Sequence, residues 1–407
     1  MGKRGALRLG RVAGVEVFVD WSLLIIFSLI TLSLGAGLFP AWHPDWEPLL
    51  IWSTAIAAAL LFFGSVLLHE LSHAVVGRAN GIPIPRITLF MFGGMAHMEN
   101  EPPSWRAELY MAAVGPITSL VLGFIFLGLA KLVIGPIEID PDNPQRSFAD
   151  LGPMVSLLMW LGPINILLGL FNLLPGFPLD GGRILRAALW GMTGDLLTAT
   201  RRASAAGQGF AWVLMASGFL MILGLRVPVF GAGFINGLWI ALIGWFLNNA
   251  AVMSYRQLLI REWLQNVPVV SLMHTQFMRV EPRMSLQRLV DEHLMPSGQR
   301  TFPVEDNGRF VGMVSLSDLP KRAQDAWRTS TVGDIMTPAQ ELVSLSPKQD
   351  AVEALMLLGR RDVNQLPIVQ NGELLGLVRR EDILKWLSLH AGTAFTKNNR
   401  VISKPFP

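Results

Sequence analysis

Three ionisable residues inside one apolar stretch carry the most specific chemistry in this sequence. His69, Glu70 and His73 form a His-Glu-x-x-His pattern within a long apolar run. On a helix the two histidines lie about 40° apart on one face, so both imidazoles can bind one metal ion. The pattern is typical of zinc-dependent hydrolysis, with the glutamate as general base. Ionisable side chains are costly inside a bilayer, so their presence there indicates a function.

A catalytic zinc site needs a third protein ligand and one open coordination position. Asp180 is the best candidate, because it follows two prolines that break an apolar segment, and non-helical backbone at membrane depth must be buried in protein or line a wet cavity. The glycines at 181–182 allow a close approach of the chain. We therefore expect His69, His73 and Asp180 to hold one zinc ion per chain, with Glu70 taking a proton from water. The alternative is that the histidine motif forms a solvated helix end.

The composition indicates a membrane domain followed by a soluble one. Of the 407 residues, 51% are apolar and 15% are charged, whereas roughly 25% are charged in ordinary globular chains. Apolar runs of the length that crosses a bilayer are predicted at 21–39, 51–77, 108–134, 153–174, 208–225 and 233–253. We predict a polytopic α-helical membrane domain at 1–255, a linker at 256–269, an α/β domain at 270–390 and a flexible tail at 391–407.

Charge and cysteine content exclude several functions. The net charge is +3 and no long Lys/Arg run occurs, so we expect no nucleic-acid partner. The absence of cysteine excludes disulfides and cysteine ligands or nucleophiles. No cleavable signal is evident, because a segment typical of folded structure, residues 12–20, precedes the first apolar run.

Basic residues in short loops predict the orientation of the spans. They concentrate in the N-terminal tail and after the second and fourth spans, so we expect both termini in the cytoplasm and the protein in the cell membrane. The second and fourth spans then run in the same direction. They place the histidine motif and Asp180 at the same depth, near the cytoplasmic face. His43 lies among tryptophans and is predicted to be interfacial rather than a ligand.

Two motifs together resemble the site-2 protease family of intramembrane zinc metalloproteases. They are His69-Glu70-x-x-His73 and Asn172-x-x-Pro175-x-x-Pro178-Leu-Asp180-Gly181. The similarity is strongest across spans two to four and includes Phe92-Gly93-Gly94 and the 113–116 turn. The resemblance implies zinc held by His69, His73 and Asp180, and water activated by Glu70. It also implies a substrate that is itself a transmembrane or membrane-bound protein.

Other polar residues near these motifs are weaker candidates. The Asn165 amide could donate to a developing oxyanion, or could make an interhelical hydrogen bond. Asn172 could contact substrate, but a structural role in supporting the proline-rich break fits its position better. Residues 86–98 are rich in strand formers and predict a short re-entrant hairpin that could hold substrate as an added strand. The roles of His97 and Glu108 stay open.

The soluble part contains an internal repeat. Pro303, Gly312 and Asp318 recur 64 residues later as Pro367, Gly376 and Asp382. This pattern resembles a tandem pair of cystathionine-beta-synthase (CBS) domains. The resemblance implies an adenine nucleotide such as ATP or AMP.

The family's ribose-binding element is present as Ser315-x-x-Asp318, whereas the second repeat has Arg379 three residues before Asp382. That arginine could serve a phosphate, or could abolish one of two sites. The candidate nucleotide-binding residues are Ser315, Asp318 and Asp382. The alternative is a ligand-free module that joins copies of the chain into a homo-oligomer.

The combined features favour regulated intramembrane proteolysis of a transmembrane protein, modulated by nucleotide at the CBS pair. A transporter or channel with a regulatory CBS pair is the main alternative, and its intramembrane His and Asp would bind the transported ion. A catalytically silent scaffold is a further alternative and predicts no zinc.

Overall fold

The computed structural model describes residues 6–91, 93–98, 101–134 and 151–398. The chain divides into two compact units, one of Lys3–Leu258 and one that begins at Leu259. The His97 side chain and residues 399–407 of the predicted tail lie outside the described part of the chain.

Six helical segments in the described ranges are long and apolar enough to cross a membrane. The first, Ser22–Trp42, consists of α1 (Ser22–Ser33), a π-helical turn (Leu34–Leu38) and α2 (Phe39–Trp42). The others are α3 (Pro48–Ala79), α4 (Trp105–Ile134), α5 (Pro153–Asn172), α7 (Leu196–Ile222) and α8 (Phe234–Leu264). The six-span prediction is therefore confirmed.

A short helix that the sequence analysis assigned to a loop separates two of the spans. This helix, α6 (Asp180–Thr193), begins at the predicted third ligand and ends at Gly194, whose φ of +71° is left-handed. The preceding Leu179 is extended, so the chain changes direction immediately before α6. The next helix, α7, starts twelve residues earlier than predicted, at Leu196. Its N-cap is Asp195, whose carboxylate accepts hydrogen bonds from the Leu197 and Thr198 amides.

Four strands form a sheet beside α3. The strands β1 (Ala6–Val12), β2 (Val15–Asp20), β3 (Arg86–Phe90) and β4 (Gly93–His97) lie in that order. The β1–β2 and β3–β4 pairs are antiparallel and β2–β3 is parallel. Alternate residues of β2 and β3 are buried against α3 and α4, in a core that includes Val15, Ile87, Leu89, Leu71 and Met111. The predicted hairpin is thus part of a larger sheet, and β4 is an edge of that sheet within the described residues.

Close packing of α4 on α5 depends on small residues. A Cβ on Gly123 would lie 2.8 Å from the Gly162 carbonyl oxygen, and one on Gly169 would lie 2.9 Å from the Pro116 carbonyl oxygen. Glycine at these positions lets the two backbones approach, as is common between membrane helices.

The second unit contains two similar hairpins. They are β5 (Thr301–Asp306) with β6 (Arg309–Ser315), and β8 (Gln365–Gln370) with β9 (Glu373–Arg379); β7 (Thr337–Pro338) pairs with β6. Both turns use Asn-Gly with positive φ, at 307–308 and 371–372, as tight two-residue hairpins require. Helices in this unit are α9 (Leu286–Arg288) with a π-helical continuation (Leu289–Leu294), α10 (Ala351–Arg361) and α11 (Arg380–Asn398).

The segment 256–269, predicted to be a linker, has regular structure over much of its length. Helix α8 continues to Leu264, and both Leu264 and Val269 are fully buried in the core of the second unit, with Leu358 and Ile368. Apolar residues in this segment therefore serve the second unit rather than a free connection.

Candidate metal centre

The structure brings the three predicted ligands together. The Nε2 atoms of His69 and His73 are 3.1 Å apart, and each lies 3.1 Å from Asp180 Oδ2. Both histidines are buried on α3, and Asp180 is the first residue of α6. Among the described residues these three form a group whose ligand atoms all lie within 4.8 Å of one another. One cation between them would contact all three atoms.

Both imidazoles are oriented by partners on α4. His73 Nδ1 donates to the Met111 carbonyl oxygen at 2.6 Å, and His69 Nδ1 lies 2.9 Å from Ser119 Oγ. Because the Nδ1 proton of neutral His73 is used at Met111, its Nε2 presents a lone pair to the centre. A lone pair, a second imidazole nitrogen and a carboxylate oxygen then converge. Two nitrogens, one oxygen and buried surroundings fit zinc.

Two glycines keep this centre clear. A Cβ on Gly115 of α4 would lie 2.8 Å from His69 Nε2 and would collide with the His73 ring. A Cβ on Gly94 of β4 would lie 2.8 Å from Glu70 Oε1 and would collide with the rest of that side chain. These contacts explain physically why glycine occupies both positions in the motifs found by sequence analysis.

Glu70 lies beside the cluster and faces the edge strand. Glu70 directly follows His69 on α3, and its half-buried side chain lies against Gly94 of β4. No hydrogen bond to its carboxylate is found within the described ranges. The arrangement suits a proton carrier next to a metal site.

A buried ion pair ties α6 to α4. Arg186 Nε donates to Glu108 Oε1 at 2.7 Å, Nη2 of the same guanidinium also contacts Glu108, and Glu101 lies 3.4 Å away. Glu108 is 0% exposed and Arg186 is 5% exposed. The guanidinium also lies over the Phe177 ring, 5.5 Å from its centroid. This pair holds the helix that begins at Asp180, which gives Glu108 the positional role left open by the sequence.

The two asparagines are engaged within their own helix. Asn165 Nδ2 donates to Leu161 O at 2.8 Å, and Asn172 Nδ2 donates to Leu168 O at 3.1 Å. The structure records no hydrogen bond between either amide and the three predicted ligands. His43 is buried away from solvent, where it bonds to Ser156 Oγ at 2.7 Å and stacks on Trp46.

Sequence reasoning missed the roles of Met111, Ser119 and Arg186 in holding the predicted ligands. Met111, Gly115 and Ser119 recur at four-residue spacing and form one stripe of α4 against the imidazoles. That spacing was a detectable signal, although nothing in it names a histidine as the partner. Arg186 carried no local signal.

In the second unit, the first predicted nucleotide residues form a compact hydrogen-bonded group. Asp318 Oδ2 accepts from Ser315 N at 2.7 Å and from Ser315 Oγ at 2.6 Å, and Lys321 lies 2.9 Å from Asp318 Oδ1. Burial of the carboxylate raises the pKa of Asp318, but hydrogen bonds from Lys321 and Ser315 lower it more, so the pKa lies below its usual value.

The second repeat differs at the matching position. Arg379 Nε and Nη2 donate to the two carboxylate oxygens of Asp382 at 2.8 and 2.7 Å. This fork occupies Asp382, and it raises the pKa of Arg379. The two repeats are therefore chemically unequal.

Comparison with known proteins agrees with the architecture. The family model for peptidase family M50 matches residues 57–134 and 128–216, and the CBS domain model matches 269–324 and 332–389. "Putative zinc metalloprotease Rip3" of Mycobacterium tuberculosis is 33% identical over 95% of this chain and 94% of its own. "Putative zinc metalloprotease sll0528" of Synechocystis is 32% identical over 95% of this chain and 96% of its own. A solved site-2 protease from Methanocaldococcus jannaschii is 25% identical, covering 61% of this chain and 95% of that one, with a TM-score of 0.39.

Six apolar helices, the metal-ligand cluster and these relatives define a multi-pass membrane metalloprotease with a CBS pair. The chain belongs to peptidase family M50, and the two curated relatives above are named as zinc metalloproteases. The predicted family and fold class are confirmed.

Proposed function

We propose that this chain hydrolyses peptide bonds in or next to the transmembrane segments of membrane proteins. The convergence of His69, His73 and Asp180 within 3.1 Å, beside Glu70 and within a bundle of membrane-length helices, carries the proposal. Its substrate would be a membrane protein, because the centre is enclosed by segments that cross a bilayer.

Each residue at the centre has a defined task. Zinc, when bound by His69, His73 and Asp180, would act as a Lewis acid that makes water a stronger nucleophile at neutral pH. Glu70 takes a proton from the attacking water, whose oxygen adds to the peptide carbonyl carbon. When the C–N bond breaks, Glu70 delivers that proton to the leaving amine nitrogen. Ser119 and the Met111 carbonyl keep the imidazoles in place.

The edge strand β4 is positioned to hold an unwound substrate segment. A helical segment conceals its carbonyl groups in hydrogen bonds, so it must unwind before hydrolysis. Within the described sheet β4 has one unpaired edge and contacts Glu70 through Gly94. A substrate strand added to that edge would pass Glu70 in an extended conformation.

A proline in β4 tests this role. Successive N–H groups of a strand point to opposite sides. Proline is therefore placed singly at Met95 and at the residue that follows it: one of these two variants loses an N–H donor at the free edge of β4, and the other loses an N–H donor that faces β3. We expect the free-edge proline to lower turnover about tenfold while bound zinc is retained, and Met95→Ala to be nearly neutral. Peptide cleavage and zinc content by atomic emission give the answer. Full turnover in both proline variants would reject strand addition.

The first CBS repeat is the proposed adenine nucleotide site, with Ser315 and Asp318 as ribose ligands. Asp382 is already held by Arg379, so we expect one nucleotide per chain rather than two. Titration calorimetry with AMP and ATP should show binding that Asp318→Ala weakens at least tenfold and Asp382→Ala leaves unchanged. Equal losses in both variants would contradict the unequal sites. Self-association through this unit is checked by sedimentation of the detergent-solubilised chain.

Both termini are proposed to lie in the cytoplasm, with the centre near the cytoplasmic face of the cell membrane. Since the chain has no cysteine, a single cysteine placed in the 43–47 loop or at the N-terminus reports its side of the membrane. We expect an impermeant thiol reagent to label the loop cysteine in intact cells and to miss the N-terminal one. The reverse pattern would invert the topology.

Reconstitution tests hydrolysis against the transporter alternative. The zinc-loaded chain in liposomes should cleave a co-reconstituted single-span protein, lose cleavage with a chelator and regain it with added zinc. A transporter would instead move ions, which an entrapped fluorescent indicator would detect. Flux without cleavage would overturn the proposal.

A further inference from the structure

Two arginines follow Asp180 on α6, and they have different surroundings. Arg186 is buried against Glu108 and Glu101. Arg183, one turn after Asp180, is half-buried, and the hydrogen bond found for it within the described residues runs from Nη1 to Met98 Sδ at 3.3 Å. None of the described carboxylates forms an ion pair with it. Thioether sulfur is a weak acceptor, so most of its five N–H donors have no protein partner among the described residues and are open to another acceptor.

The position of Arg183 relates it to the edge strand. Met98 immediately follows β4, so the guanidinium lies at the end of that strand. The carboxylate of Glu70 also faces this strand, at Gly94. Arg183 therefore borders the path that a peptide would follow along β4 and past Glu70.

We propose that Arg183 binds substrate by donating hydrogen bonds to a main-chain carbonyl of the segment held along β4. This inference rests on the proposed proteolytic function. An extended strand presents carbonyl oxygens at regular intervals, whatever its side chains. A guanidinium fixed beside that strand can bind one of them without demanding a particular sequence. Such recognition suits a protease whose substrates are apolar transmembrane segments, which contain few acidic side chains.

The test separates binding from chemistry. Arg183→Gln should raise KM about tenfold or more, because hydrogen bonds to charged groups are worth about 1.5–3 kcal/mol. We expect kcat to change less, and zinc content and thermal stability to stay at wild-type values. In the zinc-loaded Glu70→Gln background, affinity for an uncleaved fluorescent transmembrane peptide should fall by the same factor. Arg183→Lys should recover part of it, and the exposed Arg201→Gln is the matched control.

Several results would overturn the assignment. An unchanged KM and peptide affinity in Arg183→Gln would remove the residue from substrate binding, as would loss of zinc. A defect seen only with peptides that carry an acidic residue would show side-chain rather than main-chain recognition. If the wild-type chain binds the peptide with Arg183-dependent affinity but never cleaves it, the proteolytic function fails and the binding role stands.

Discussion

Glu70→Gln is expected to retain about one zinc per chain and to lose cleavage by about 10²- to 10⁴-fold. The amide is nearly isosteric with the carboxylate, so the contact with Gly94 and the neighbouring His69 should be preserved. It cannot accept and release the proton, and positioned acid–base catalysis typically contributes a factor of this size. Single-turnover cleavage of a reconstituted membrane protein, with zinc measured on the same sample, checks the prediction.

The matched control for this variant is Asp180→Asn. The amide is a poorer metal ligand than a carboxylate, so this variant should lose zinc as well as cleavage. If Glu70→Gln loses cleavage but retains zinc, and Asp180→Asn loses both cleavage and zinc, then the two variants separate proton transfer from metal binding. Wild-type turnover in Glu70→Gln would remove Glu70 from the reaction.

Glu108→Ala is expected to have the largest effect on stability. It leaves the Arg186 guanidinium buried without its main partner, and removing one member of a buried ion pair costs about 3–5 kcal/mol. Since Arg186 lies on the helix that begins at Asp180, zinc affinity should fall together with the unfolding temperature. Thermal unfolding in detergent and a zinc competition titration measure the two effects.

A double substitution distinguishes the cost of an unpaired charge from the cost of an altered helix contact. Glu108→Leu combined with Arg186→Met removes both charges while keeping apolar volume, and such replacements are often neutral. We expect the double variant to recover most of the unfolding temperature lost in Glu108→Ala. A single variant as stable as the wild type would contradict the role given to this ion pair.

Much of this protein was predictable from the sequence alone. Six apolar segments, the histidine–glutamate motif, Asp180 as a candidate ligand and the 64-residue repeat all depend on composition or regular spacing. Such patterns can be detected in the sequence because a helix repeats every 3.6 residues and a span needs a set length. The short helix α6 was missed because its polar, arginine-containing start is typical of a loop.

Only the tertiary structure decided which distant residues support the ligands. Ser119 is 50 residues from His69, and Arg186 is 78 residues from Glu108. Neither a period nor a composition relates such positions, because their contact follows from how closely α4 packs on α3, α5 and α6. The sequence by itself determined the chemistry available to this protein, whereas packing decided its geometry: the orientation of the imidazoles, the space left by Gly115 and the anchoring of Asp180.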